Sequence, residues 1–164
     1  MSQTTKQFLT TLNLVYFALP VVMVGFALFV FIWITTGQQL APVDPEFESI
    51  LRIIVIATVP AGMGIGYFVF KTVVEGIASD LPLLQKLQRY QSAVIVRAAG
   101  FEMPGMFAAV VAFLTNNSSF LLFTAAIAVL FLLFRPTVNS ITNDLQLTAS
   151  ERSELENSQH FTRK

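Results

Sequence analysis

Four long apolar stretches limit what this chain can fold into more than any other feature of its sequence. They run over residues 12–34, 50–70, 93–114 and 118–134. A helix needs about twenty apolar residues to cross roughly 30 Å of hydrocarbon, and the first three stretches meet that requirement. The fourth is shorter, and Arg135-Pro136 closes it because proline cannot continue the helix. The pattern predicts an all-α fold, a four-transmembrane-helix bundle.

The composition agrees with a membrane protein and excludes several other classes. Of 164 residues, 54% are hydrophobic and only 12% are charged, whereas a soluble domain is about one quarter charged. Ten basic and ten acidic residues cancel, so the charge does not indicate nucleic-acid binding. The chain has no cysteine, and its single histidine, His160, cannot form a metal site alone. We therefore expect no metal, no cofactor and no enzymatic activity.

The basic residues predict the orientation in the membrane. Nine of the ten basic residues are expected on one side of the membrane, and only Arg52, at the start of the second stretch, is expected on the other. The nine are Lys6, Lys71, Lys86, Arg89, Arg97, Arg135, Arg152, Arg163 and Lys164. Under the positive-inside rule this bias places both termini in the cytoplasm of a bacterium, with the bundle in the inner (plasma) membrane. Residues 1–136 then form the transmembrane domain, and residues 137–164 form a polar cytoplasmic tail.

The segments on the cytoplasmic side carry helix signals of their own. Apolar residues at helical spacing predict one helix from Pro82 to Leu114, longer than the bilayer is thick. Lys86 and Arg89 on this helix are expected to face lipid headgroups, either as a general basic rim or as a specific lipid site. The tail predicts two short amphipathic helices, one after Pro136 and one starting at Thr148 with capping-box spacing. They either pack under their own bundle or dock a partner.

Small residues indicate how the helices pack in the membrane. Gly62 and Gly66 form a Gly-xxx-Gly pair in the second stretch, and Gly105 with Ala109 form a small face on the third. We expect these two helices to approach each other closely.

Glu102 is the only carboxylate inside the four stretches, near the middle of the third. A charge at that depth costs several kcal/mol, about 3 on insertion scales, so it needs a partner or a use. Pro104 frees the carbonyl of Gly100, and the two together with Glu102 predict a proton or cation site, with Arg97 within a long reach. The alternatives are a hydrogen bond across helices that fixes the packing, and an acid that meets another subunit. The candidate bonding partners are Tyr16, Tyr67, Thr58 and Thr124.

Two resemblances bear on these alternatives. Residues from Ala61 to Leu114 resemble the hairpin of the proteolipid subunits that form rotor rings in rotary ATPases. The shared features are a glycine-bearing helix, Glu75-Gly76-Ile77-Ala78, a short polar loop, and a helix with an acid at mid-membrane. The resemblance implies that Glu102 carries an ion. The sequence departs from it in the loop Ser79-Asp80-Leu81-Pro82 and in having two further helices without a second carboxylate.

The second resemblance covers nearly the whole chain. It is similar to an uncharacterised family of small four-helix membrane proteins from bacteria of the Bacteroidota type, which implies no particular activity. The segments that carry it are Tyr90-Gln91-Ser92, Ile95-Val96-Arg97, Phe101-Glu102-Met103-Pro104-Gly105, Phe113-Leu114-Thr115, Phe134-Arg135-Pro136-Thr137 and Asn143-Asp144-Leu145. The sequence thus favours a structural or accessory membrane subunit. Its partner would be either further copies of the same chain, in a homo-oligomer, or another subunit of a membrane complex. A small proton or cation translocator that uses Glu102 is the alternative.

Overall fold

The computed structural model describes residues 5–38, 40–41 and 43–160, and over these residues the fold is helical, with no strand. The helices in chain order are α1 (Thr5–Thr35), α2 (Pro45–Glu75), α3 (Leu83–Thr115), α4 (Leu121–Leu133), α5 (Val138–Asp144) and α6 (Ala149–His160). A 3-10 turn, Ser118–Phe120, leads into α4. Three of the helices, α1, α2 and α3, are long and apolar enough to cross a membrane. The all-α prediction is confirmed.

The long helices extend beyond the apolar stretches because their ends are capped by polar residues. Asp44 caps α2, its carboxylate accepting a hydrogen bond of 2.8 Å from the backbone N–H of Glu46. Pro45 takes the first helical position, where its missing N–H costs nothing. At the same end of the molecule, α3 stops at Asn116, which adopts the left-handed conformation with φ 52°. The predicted single helix from Pro82 to Leu114 corresponds to α3.

Helix α3 is the central element. Its neighbours α1, α2 and α4 all pack against it, and it buries more of its length than either α1 or α2. The large side chains of α1 and α2 that point away from α3 are exposed, among them Leu28 and Ile53. An apolar surface of this kind is what lipid tails cover in a membrane-spanning bundle.

Helices α4 and α5 meet at a bend of 77°. The bend falls at Arg135-Pro136, as the proline predicts. Beyond it, α5 and α6 fold back under the long helices, so that Ile141 and Leu155 are buried in the same apolar core as Phe8 and Leu12 of α1. The tail helices are therefore packed against their own chain, which was one of the two expectations for them.

Candidate functional site

Glu102 lies near the middle of the apolar part of α3. Thirteen residues separate it from the end of the helix at Thr115, which is about 20 Å at 1.5 Å per residue. Its side chain is half-buried, and it forms no hydrogen bond or ion pair with any other residue in the described part of the chain. The carboxylate is thus neither fully buried nor neutralised by a partner among the described residues.

The hydroxyl groups expected to bond to Glu102 have other acceptors or lie apart. Tyr16 donates to the Phe131 carbonyl at 2.8 Å, Thr124 to the Gly105 carbonyl at 2.8 Å, and Thr58 to the Val55 carbonyl at 3.1 Å. Tyr67 is 53% exposed on the outside of α2. Each of the three hydroxyl bonds satisfies a backbone carbonyl, so the packing role predicted for Glu102 belongs to Tyr16 and Thr124 instead.

Arg97 does not pair with Glu102. Residues five apart on a helix lie about 140° apart around its axis, so the two side chains leave α3 in different directions. The guanidinium of Arg97 is only 7% exposed and lies over the Phe70 ring, 4.1 Å from its centroid. Its Nη2 donates a hydrogen bond of 3.0 Å to the carbonyl of Phe134.

The carbonyl that Pro104 frees also points away from Glu102. Residues 100 and 102 differ by about 200° around the helix axis, so they occupy nearly opposite sides. The oxygen of Gly100 lies against Gly62, where a Cβ would come within 2.6 Å of it. The predicted ion site therefore does not assemble: its carbonyl faces α2, and its carboxylate does not.

Glu102 shares its side of α3 with Phe113. These residues are eleven apart, which is close to three full turns of helix. The Phe113 ring contacts Phe29 and Trp33 of α1, at centroid distances of 6.3 and 5.6 Å. Glu102 therefore lies along the edge of α3 that faces α1, about three turns nearer the start of α3. Along most of its length α1 offers mainly apolar side chains.

The glycines of α2 do pack closely against α3, but they contact Gly100 and not the predicted small face of Gly105 and Ala109. A Cβ on Gly66 would meet the Arg97 carbonyl at 3.1 Å and Gly100 Cα at 3.3 Å, and one on Gly100 would meet Gly66 Cα at 2.8 Å. Gly62 and Gly66 thus pack on Gly100. Gly105 instead faces Met23 of α1 and Ile127 of α4. Ala109 is fully buried in the helical core.

Lys86 corrects the expectation of an exposed basic rim. Its side chain is 6% exposed and forms an ion pair of 2.7 Å with Glu151 of α6. This hydrogen bond and the one from the Thr148 backbone lower the pKa of Glu151 to about 2. Of the two predicted headgroup residues, only Arg89 is exposed.

A second contact joins the same two layers. Tyr90 of α3 donates a hydrogen bond of 2.8 Å to a carboxylate oxygen of Asp144 at the end of α5. Tyr90 is fully buried, and its ring packs edge-on against Phe70. Lys86, Tyr90 and Arg97 follow one another along α3 at spacings of four and seven residues, which is one face of a helix. They hold α6, α5 and the end of α4, respectively.

The groups assembled here can organise a fold, and no cluster of three or more metal-ligating side chains occurs among the described residues. Comparison of the chain with protein families, curated proteins and solved structures finds no match.

Proposed function

We propose that this protein is a multi-pass protein of the bacterial inner membrane that acts as a structural or accessory subunit. Four spans, α1, α2, α3 and α4, form its membrane domain, and both termini lie in the cytoplasm. The bias of nine basic residues against one supports that orientation. The lipid bilayer is its first partner, and a second copy or another membrane subunit is the next.

The length and chemistry of α4 support a fourth span. With its 3-10 turn and Phe134 it covers 118–134, about 26 Å of helix and near the lower limit for a span. Its one polar side chain beyond the first turn, Thr124, donates to the carbonyl of Gly105 at 2.8 Å. No polar side chain of α4 is thus left unbonded in the apolar region.

One observation carries the proposal of a structural role: the polar groups at the cytoplasmic end are used to hold the chain together. Lys86 binds Glu151, Tyr90 binds Asp144, and Arg97 binds the end of α4. A catalytic or transporting group must be able to meet a substrate or change its bonding. These groups instead join α3 to α4, α5 and α6, which favours a fixed scaffold.

A proton or cation translocator remains the second candidate, and Glu102 favours it. Its carboxylate is half-buried at mid-membrane without a partner in the described chain, and such a residue usually marks a functional site or a contact with another subunit. The carbonyl of Gly100 and the guanidinium of Arg97 point elsewhere, so Glu102 would have to work alone or with a second copy.

Proton flux into liposomes decides between the two functions. The wild type is compared with Glu102→Gln, which keeps the size of the side chain and removes its charge. A structural subunit gives no flux from either protein. Flux from the wild type that disappears in Glu102→Gln, with equal thermal stability of the two proteins, would overturn the structural proposal and establish the translocator.

A further inference from the structure

A groove opens at the cytoplasmic end of the molecule, where α1, the α4–α5 bend and α6 meet. Its volume is about 590 Å³, within the range of small-molecule sites. Asn13 and Phe17 line it from α1, Arg135 and Asn139 from the bend and α5, and Glu156 from α6. The groove is thus built from three helices, α1, α5 and α6, and the bend that follows α4.

The charge in this groove is positive and unneutralised. Arg135 is exposed and forms no hydrogen bond or ion pair with any described residue. The carboxylate of Glu156 is engaged by Arg152 of its own helix at 2.7 Å. Asn13 and Asn139 add amide groups that can donate hydrogen bonds. The groove therefore offers a guanidinium and two amides to an anion.

The position of the groove indicates where that anion comes from. Arg135 directly follows the end of α4, and the neighbouring Leu133 is 71% exposed. On the α1 side Leu14 is also 71% exposed, next to the groove residue Asn13. Apolar side chains that face lipid tails thus border a polar groove, the geometry of a site at the boundary between hydrocarbon and headgroups.

We propose that this groove binds the phosphate of an anionic phospholipid of the cytoplasmic leaflet. Arg135 makes the main contact, since guanidinium donors match phosphate oxygens, and Asn13 and Asn139 donate further hydrogen bonds. The acyl chains lie along Phe17 and the exposed leucines. An anionic lipid is favoured over a zwitterionic one because a headgroup amine would compete with Arg135 for the phosphate. This inference rests on the proposed four-span topology.

The test measures binding of phosphatidylglycerol to the full chain in detergent, by native mass spectrometry, with phosphatidylcholine as the competing lipid. Arg135→Gln is expected to weaken retention of phosphatidylglycerol at least about tenfold, the loss of one hydrogen bond to a charged group. The matched control is Arg89→Gln, an exposed arginine on the same side of the membrane. Arg89 is attracted to an anionic membrane surface only in a general way, so Arg89→Gln should weaken retention of phosphatidylglycerol by no more than about fivefold.

A second variant guards against a folding defect. Asn139→Asp keeps the shape of the exposed side chain and adds a negative charge to the groove, so it should also weaken retention. Equal loss in Arg135→Gln and Arg89→Gln, or no preference for phosphatidylglycerol, would overturn the inference. So would full displacement of the lipid by inorganic phosphate, which would make the site one for a free anion.

Different results would contradict the lipid-binding inference and the four-span topology on which it rests. A cysteine introduced at Asn157 is labelled from the cytoplasmic side if α4 crosses the membrane. Labelling from the outer side would overturn the topology, and the lipid inference with it. Cytoplasmic labelling without lipid retention would overturn the lipid inference alone.

Discussion

The end of the bundle where α5 and α6 pack, here called the tail end, and the apolar interior of the long helices are held together by different interactions. At the tail end, directional contacts join residues far apart in sequence, such as Lys86 with Glu151 and Tyr90 with Asp144. In the interior, Gly62, Gly66 and Gly100 let the backbones of α2 and α3 touch. Close packing of small residues is the usual source of specificity between helices in a membrane.

Two residues, Glu102 and Arg135, do not follow the pattern of contacts in their own region. Glu102 is a polar side chain in the interior, and unlike Thr124, which bonds to the Gly105 carbonyl, it lacks a partner among the described residues. Arg135 is a basic residue in the region rich in polar bonds, and it too has none within the described chain. Like Glu102 and Arg135, a polar group that lacks a partner within the fold can bind a ligand, a lipid or another subunit.

The largest effect is expected where the helices touch through backbone. In Gly100→Ala the new Cβ would lie 2.8 Å from Gly66 Cα and 2.9 Å from the Gly62 carbonyl, and backbone cannot move away easily. We expect a loss of about 3 kcal/mol in the free energy of unfolding. Gly64→Ala is the control, because nothing lies within 4 Å of the added Cβ. Unfolding in mixed micelles would measure both, and equal stability would refute the close contact.

The next effect tests the link between the two regions. Arg97→Met removes the hydrogen bond to the Phe134 carbonyl and the contact with the Phe70 ring, leaving the end of α4 without its donor. We expect a loss of about 2 kcal/mol. The exposed Arg89, changed to Met, should have little effect on the same unfolding measurement. If Arg97→Met were as stable as the wild type, Arg97 would not hold α4.

The ion pair between Lys86 and Glu151 at the tail end should be sensitive to acid. Folding lowers the pKa of Glu151 from 4.5 to about 2, so its contribution is complete above pH 4.5 and is lost as the pH falls toward 2. Glu151→Gln should lose about 1.5 kcal/mol at neutral pH and flatten this acid dependence.

The control for the ion pair is Glu75→Gln. Its partner Lys71 lies at 3.7 Å in a pair whose side chains are 59% and 67% exposed. Such a pair contributes little, about 0.5 kcal/mol or less. Melting temperatures of the two variants across pH 3 to 7 would separate them, and identical pH curves would mean that burial adds nothing to the Lys86 pair.

The smallest effect concerns a single hydroxyl. Tyr16→Phe removes the bond from the Tyr16 hydroxyl to the Phe131 carbonyl and nothing else of the ring packing. We expect a loss of about 1 kcal/mol, the usual net value of a neutral hydrogen bond. Tyr67→Phe, at an exposed position on α2, should leave the unfolding free energy unchanged. A comparable loss of unfolding free energy in both variants would show that the buried hydrogen bond of Tyr16 contributes no more than an exposed hydroxyl.

The sequence predicts the elements of this fold better than their contacts. Local signals mark helix ends: Pro82 begins α3, Pro136 ends the α4 segment, and Thr148 with Glu151 caps α6 by hydrogen bonds of 2.8 and 3.4 Å. These signals lie within a few residues of one another, so no tertiary information is needed to use them.

Partners across the fold could not be predicted in the same way. Lys86 meets an acid 65 residues later in the chain, and nothing near Lys86 identifies it. Helix α2 is apolar on nearly every side, so its periodicity does not show that Gly62 and Gly66 meet Gly100. For Glu102 and Gly100 a signal did exist: residues two apart on a helix point to nearly opposite sides, which argues against a shared ion site.

The number of times the chain crosses the membrane can be measured directly, since the sequence contains no cysteine and single cysteines can be introduced for labelling. The positions are Glu46 and Ser118 at one end of the bundle, and Asp80 and Asn157 at the other, all exposed. A membrane-impermeant thiol reagent is applied to cells and to inverted vesicles. Four spans predict that Asp80 and Asn157 are labelled only from the cytoplasmic side. Labelling of Asn157 from the same side as Ser118 would mean that α4 does not cross, and would contradict the proposed bundle.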